Sequence, residues 1–430
     1  MKLFHRKLQN DIYPWLDRPD IIVIMGARQV GKTSLLSLLE ADILRLWGES
    51  RNILIFNLED SAQLTALNRD PRYFKEYLVF SGADPEKDSV IMIDEVQYLD
   101  DPSHFLKYLA DCEPSIKLIV TGSTSIQIKK FKDGLTGRKK NFYLFPLDFR
   151  EFVLFRGMKH LLSILLKFNL KEVLSHQAGI DSQKILPFKD ELEVLFEEFI
   201  LYGGYPKVVL SGSQDEKMCE LQELFQTYEL KDVNILFDVA NMVAFRKLIR
   251  LMAGNVGNLV NINEIAGTLG IGRDTVKRYL AVLENSFIVH ELSPFHSNIR
   301  KELTKMPKLF FADTGIRNFA IRNFTDLSIR PDRGNLFENA IFCELYKNLG
   351  VIDQLFFWRT LSKNEIDFIL TGDQKVALEV KISAGSRLKQ PSGFRTFGKI
   401  YSDFGQVVVT TGQFALKNGI YYIPGWMTGL

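Results

Sequence analysis

Apolar residues gather first in four short runs: IIVIMG (21–26), NILIFNL (52–58), SVIMIDE (89–95) and KLIVTGS (117–123). None alternates with polar residues, so each is expected to be a strand buried on both faces, as in a parallel sheet covered by helices. The stretches between them have helical spacing, and the front of the chain therefore predicts an α/β layer. From 151 to 245 the pattern becomes long, Leu- and Phe-rich and helical, broken at LYGGYPKVV (201–209), where Gly203, Gly204 and Pro206 mark a turn. Residues 246–295 read as a compact helix–turn–helix. Beyond about 305 short strands return in KLFFAD, QLFFWR, EIDFIL, VALEVKI and QVVVTT, with a helix expected over 334–348. The fold class is α/β. Its expected divisions are residues 1–155, a helical connector over 156–245, a winged helix over 246–300 and a second α/β domain over 301–430.

Composition narrows the function classes. A chain of 430 residues that is 46% hydrophobic and 25% charged is a multidomain globular protein. Its 54 Lys and Arg nearly cancel 52 Asp and Glu, for a net charge of +2, so any nucleic-acid surface must be local. The start, MKLFHRKLQNDIYPWLDRPD, lacks the apolar core of a signal peptide, and the longest apolar runs are too short for a bilayer. Cys112, Cys219 and Cys343 have no metal-ligand spacing, and a reducing cytoplasm is expected.

The first chemical motif follows the first strand. Gly26, Ala27, Arg28, Gln29, Val30, Gly31, Lys32 and Thr33 fit GxxxxGK[ST], with Ser34 next on a helical run. In such a loop, backbone N–H groups wrap phosphates, the lysine reaches the terminal oxygens and the hydroxyl holds Mg²⁺. SVIMIDEVQ supplies a second part: Asp94 suits the Mg²⁺ shell and Glu95 the polarisation of an attacking water. KLIVTGSTS ends in polar residues at the same sheet edge, where Ser123 is placed to sense the γ-phosphate or the water. ATP or GTP hydrolysis is the expected chemistry. A guanidinium completing the site is sought first at Arg138, in the basic run KKFKDGLTGRKK (129–140), then at Arg28 and Arg150. The same run would serve equally as a solvated loop or a contact to nucleic-acid phosphates.

Residues 260–292 have the pattern of two helices and a tight turn, with Ile265, Ala266, Leu269, Val276, Leu280 and Leu283 on apolar faces. FIVHEL then reads as a hairpin arm. Arg273, Lys277 and Arg278 would face a duplex in a DNA-binding version; docking or lid use of the same fold is equally open.

Near the end, Glu365 and Asp367 share one face of a strand in NEIDFIL, and Glu379 and Lys381 one face of the next in VALEVKI, across a turn at TGDQ. Glu338 lies upstream on a helix whose other face is apolar. A hairpin would bring Asp367, Glu379 and Lys381 together with Glu338 near by. Carboxylates so placed bind Mg²⁺ or Mn²⁺, and an adjacent amine can activate water for phosphodiester attack. The E-x-K spacing alone is weak, since Glu229-Leu230-Lys231 repeats it, and a polar strand face with structural ion pairs is the competing reading.

The set GARQVGKTSLL, MIDEVQ, VTGSTS, LTGR, PLDFREF, YGGYP, FADTG, LFENAIFCEL, FFWRTLSKNEIDFIL and ALEVK, in this order, resembles a large prokaryotic family of AAA-type ATPases. Members carry a C-terminal domain of unknown function similar to the PD-(D/E)xK restriction-endonuclease-like fold. The resemblance covers nearly the whole chain. It implies a P-loop AAA-type ATPase domain, a helical and winged-helix middle and a nuclease-like end. Nucleotide binding would fall on Gly31, Lys32, Thr33, Asp94 and Glu95, the polar strand-end position on Ser123 and the family's arginine on Arg138. The nuclease-like positions would be Glu338, Asp367, Glu379 and Lys381; Thr124 stands where the family tends towards serine. The implied cofactors are ATP and Mg²⁺, with Mn²⁺ an option at the nuclease-like centre. The implied partners are DNA or RNA, no membrane, and further copies of the chain if the arginine acts in trans.

Overall fold

The computed structural model describes residues 3–123, 135–175, 182–230, 233, 241–295, 306–362, 364–382 and 390–430. Thr124, Lys231 and the front of the basic run lie outside them. The chain forms two compact units. One comprises Met1–Phe145 with Asn285–Phe287, the other Pro146–Glu284 with Ile288–Leu430.

The first unit is a parallel five-stranded sheet. Its strands are β1 (Ile21–Met25), β2 (Asn52–Asn57), β3 (Ser89–Asp94), β4 (Ile116–Gly122) and β5 (Lys139–Tyr143), in the order β2-β3-β4-β1-β5. β1, β3 and β4 are buried at every position, as their unbroken apolar runs require. β2 differs from expectation: as an edge strand it buries only Phe56 fully, although its sequence is nearly as apolar. The helix Lys32–Trp47 leaves the phosphate loop through Gly31, whose φ of 98° favours glycine, and turns Leu35, Leu36, Leu39 and Ile43 inward. Pro102–Cys112 begins with proline in its first turn, and the Asp101 side chain accepts the His104 N–H at 2.9 Å.

The second unit departs from the expected boundaries. Helices Met242–Gly254, Ile262–Leu269 and Arg273–Asn285 precede β6 (Val289–Leu292), which pairs antiparallel with β7 (Lys308–Phe311). An isolated bridge joins Leu259 to Lys308, completing the small sheet of a winged helix. KLFFAD, expected in the last domain, is therefore the return strand of the wing. Val276, Tyr279, Leu280 and Leu283 are buried, while Arg273, Lys277 and Arg278 face solvent.

The remaining strands are β8 (Gln354–Arg359), β9 (Glu365–Thr371), β10 (Val376–Lys381), β11 (Gly405–Thr410), β12 (Ala415–Lys417) and β13 (Ile420–Pro424). They form a mixed sheet ordered β12-β13-β11-β10-β9-β8. One face packs Trp358, Ile366, Ile369, Ala377, Phe394 and Phe397 into a core. Elsewhere Phe310 of the wing stacks on Phe342 of the helix Arg333–Lys347 at 4.5 Å, with Phe368 of β9 at 5.6 Å from Phe310. This aromatic packing joins wing, helix and sheet, so the division expected at 300/301 runs through continuous structure. Among the described residues, no helix is long and apolar enough to cross a membrane.

Candidate functional site

The carboxyl ends of β1, β3 and β4 gather the nucleotide-motif residues. A Cβ on Gly26 would sit 2.2 Å from the Leu144 carbonyl oxygen, so no larger residue fits there. Gln29 and Gly31 hold positive φ, 59° and 98°, curling the loop. Lys32 is buried and donates to the carbonyls of Gly26 at 3.2 Å and Ala27 at 3.1 Å, with Glu95 Oε1 at 3.4 Å. Thr33 Oγ1 donates to Asp94 Oδ2 at 2.5 Å, and Thr121 donates to the other oxygen of Asp94. The Glu95 N–H donates to Thr121 Oγ1 at 3.0 Å. Burial would raise the Glu95 carboxyl, but the charge of Lys32 and the Gln97 amide, with help from Arg28 and Ser123, hold it below its usual value. Gln97 Nε2 donates to Ser123 Oγ at 2.9 Å and to Glu95 Oε2.

Three contributors to this site were not expected. Gln97 and Thr121 sit beside the motif residues yet belong to no spaced pattern. Arg6, far upstream, is buried and donates to the carbonyls of Val30 and Phe145, both at 2.8 Å, bracing the loop from behind. The only signal for it in the sequence is an arginine shortly before the first strand.

The arginine candidates separate. Arg28 donates to Tyr98 Oη at 3.4 Å and adds positive charge near Glu95. Arg138 immediately precedes β5 and its carbonyl pairs with the N–H of Ile21, at the amino end of β1. It therefore lies at the sheet edge opposite the phosphate loop, with Nε 2.5 Å from Asp111. It does not complete the site of its own chain. Arg150 belongs to the second unit, beside Gly429.

The second cluster lies where β9, β10, the wing and the helix Arg333–Lys347 meet. Continuing the β9–β10 register places Asp367 opposite Glu379. There the ladder gives way, and Asp367 Oδ2 accepts the backbone N–H of Val380 at 2.8 Å. Lys381 lies 2.7 Å from Glu379 Oε1, and Glu379 Oε2 is buried with no hydrogen-bond partner among the described residues. Lys308 of β7 was not foreseen. Its ammonium, 3% exposed, sits 3.1 Å from Glu338 and 2.6 Å from Glu365. Glu365 also meets Arg359 at 3.5 Å. Glu338, expected as a metal ligand, thus has a resident cation instead.

The electrostatics follow from burial of like charges. Burial, then the charge of Asp367, pushes the carboxyls of Glu338 and Glu379 well above the usual range. Burial likewise raises Asp367, against the pull of Lys308 and the Val380 N–H. Lys308 is raised because Glu338, Asp367 and Glu365 outweigh its desolvation. Among the described residues, no three His, Cys, Asp or Glu side chains are grouped to hold a metal ion. The second E-x-K is purely structural chemistry on the Glu229 side: Arg246 binds that carboxylate with two bonds of 2.8 Å.

Residues 18–153 match the family model described as AAA domain. Residues 193–327 match a domain of unknown function (DUF8612), and residues 333–426 another (DUF4143). The first of these two runs from the helical connector through the wing, across the divisions expected at 245 and 300. An uncharacterized protein of Haemophilus influenzae is 27% identical over 362 residues, 82% of this chain and 80% of that protein. One of Methanocaldococcus jannaschii is 25% identical over 296 residues, 67% of this chain and 60% of that protein. The solved structure of C. elegans PCH-2 aligns over 52% of this chain and 69% of its own, at 15% identity and a TM-score of 0.35. By its phosphate loop, its parallel sheet and its family match, the front of this chain is a P-loop AAA-type domain, carried on one polypeptide with a C-terminal domain of unknown function.

Proposed function

We propose that the protein binds and hydrolyses ATP and couples that turnover to nucleic-acid binding or processing through its C-terminal nuclease-like domain. The observation that carries the ATPase part is the convergence of Lys32, Thr33, Asp94, Glu95 and Ser123 at one sheet edge. The Thr33 hydroxyl and the Asp94 carboxylate are adjacent oxygen donors, a pair that suits Mg²⁺. When bound, Mg²⁺ would neutralise charge on the β- and γ-phosphates. The chain's residues do the rest: Lys32 leaves its carbonyls for the phosphates, Ser123 reads the terminal group, and Glu95, kept ionised, accepts a proton from water. Arg138, at the far edge of the sheet, would serve a neighbouring copy, which makes the active form an oligomer. Purified protein with Mg²⁺ and ATP should release phosphate, and Lys32→Ala should reduce this to background. Equal turnover by that variant would overturn the ATPase reading.

For the C-terminal centre, the buried Glu379 oxygen that has no hydrogen-bond partner among the described residues, opposite Asp367, supports a hard divalent cation, Mg²⁺ or Mn²⁺, held by this pair. Lys381 would then orient the attacking water. DNA or RNA should be nicked in the presence of either metal, and Lys381→Ala should lose the cleavage. Absence of cleavage across single- and double-stranded DNA and RNA would favour the second reading, a nucleotide-driven switch that only binds DNA or protein partners. The exposed Arg273, Lys277 and Arg278 on the winged helix support that reading.

A further inference from the structure

Gln97 is buried between the two residues that would manage the lytic water. Its carboxamide nitrogen has two hydrogens, and both are committed: one to Glu95 Oε2, the other to Ser123 Oγ at 2.9 Å. Its carbonyl oxygen is buried with no hydrogen-bond partner among the described residues. Glu95 itself stands at φ 58°, a left-handed conformation that a non-glycine residue keeps only when its surroundings hold it. Its N–H goes to Thr121, its Oε1 faces Lys32 at 3.4 Å, its Oε2 has Gln97, and the Ser123 hydroxyl and the Arg28 charge also act on the carboxylate.

We propose that Gln97 is a positioning residue for the hydrolytic base, tying the Glu95 carboxylate to the Ser123 hydroxyl so that contact of Ser123 with a terminal phosphate fixes the base. This rests on the ATPase reading above. The Ser123 oxygen accepts from Gln97, and its own O–H, which in this structure also helps hold the Glu95 carboxylate, can turn to a phosphate oxygen. A hydroxyl that donates becomes a better acceptor, so that donation tightens the Gln97 bond and sets the plane of the amide. The amide then fixes Glu95 Oε2. Once Lys32 turns to the phosphates, Oε1 is the oxygen left to take a proton from water. A leucine at 97 would preserve the packing but cut both bonds. A glutamate would preserve the shape and put a second carboxylate against the first.

The test measures Mg-ATP turnover and fluorescent-nucleotide affinity for wild type, Gln97→Leu and Gln97→Glu. Gln97→Leu should lower kcat by about 10- to 100-fold, within the range of general-base effects. Its nucleotide Kd should stay within about threefold, because no phosphate contact is lost. Gln97→Glu, which keeps the shape but sets a second carboxylate against Glu95, should lower kcat in the same range with the same near-unchanged Kd. Wild-type kcat in either variant that folds overturns the assignment of Gln97. So does a fall in affinity that accounts for the whole loss of rate. If the wild type itself does not exceed Lys32→Ala, it is the ATPase reading that fails, and the Gln97 assignment with it.

Discussion

The carboxylate of Asp313 accepts the backbone N–H of Gly204 at 2.7 Å, tying the YGGYP turn to the residues that follow β7. The same side chain caps the helix Thr314–Ile321 by accepting the Ile316 N–H at 3.1 Å. Burial raises the Asp313 carboxyl, although Lys347 and three backbone N–H groups pull the other way. The two glycines are a requirement of this contact. A Cβ on Gly203 would lie 2.1 Å from Asp313 Oδ1, at a φ of 78°, and one on Gly315 would lie 2.1 Å from the Tyr202 carbonyl. Gly203→Ala should therefore cost about 3 kcal/mol or more in urea unfolding, from steric overlap and backbone strain together. Asp313→Asn, which keeps the size but can accept through only one oxygen, should cost about 1–3 kcal/mol.

Arg138 is bonded to Asp111 at the amino edge of the first sheet, so its catalytic use demands a second chain. Arg138→Ala should abolish most ATP turnover while leaving nucleotide affinity near wild type. Mixing Arg138→Ala with Lys32→Ala subunits should restore part of the activity, because a mixed interface pairs an intact loop with an intact arginine. An arginine acting within its own chain gives no recovery, and a merely structural one gives no loss. Arginine fingers are worth roughly 10³–10⁵ in rate, so the recovery is easily measured.

The parts of the fold carried by local pattern were visible in the sequence. The buried runs of β1, β3 and β4 are fully enclosed, and the NEIDF–VALEVK hairpin pairs as its alternation predicts. Edge position is not a local property, which is why β2 read as a core strand. KLFFAD was assigned to the wrong sheet for a similar reason: four apolar residues specify a strand but not its partner. In the candidate sites, residues at fixed motif spacing were found. Arg6, Gln97 and Lys308 were not, because a buried polar side chain is recognised by the partners that satisfy it, and those lie elsewhere in the chain.

Lys308 is the cation on which the second cluster depends. Glu338 and Glu365 both face its ammonium, and each would be left without it in Lys308→Met. Breaking a buried ion pair from one side costs up to about 3–5 kcal/mol when the remaining charge is uncompensated. The variant should lose less than that in chemical unfolding, because Glu365 keeps Arg359 at 3.5 Å and Glu338, already raised well above the usual carboxylate range, takes up a proton instead. Adding Glu338→Gln to it should recover a part, with a coupling energy of about 0.5–3 kcal/mol in the double-mutant cycle. Strict additivity would mean that the two side chains do not interact in solution.

His290 supplies a pH dependence whose sign can be worked out. Burial, assisted by the nearby charge of Lys347, lowers its pKa from 6.5 to about 4, and its ring packs 4.2 Å from that of Tyr346. Between those two values the unfolded chain binds a proton that the folded chain refuses. Stability from this residue is thus complete above pH 6.5 and is lost as the pH falls towards 4. A difference of that size corresponds to about 3 kcal/mol at about 1.4 kcal/mol per pH unit. The raised carboxyls of Glu338 and Glu379 act in the opposite sense, favouring the fold at low pH and losing that contribution as the pH rises. The wild-type curve alone therefore mixes the two. His290→Phe keeps an aromatic ring beside Tyr346 and removes only the proton. Its unfolding free energy, followed by urea titration from pH 7 to pH 4, should fall less than that of the wild type, with the gap between the two curves opening below pH 6.5. Parallel curves would mean that His290 is protonated in the folded protein.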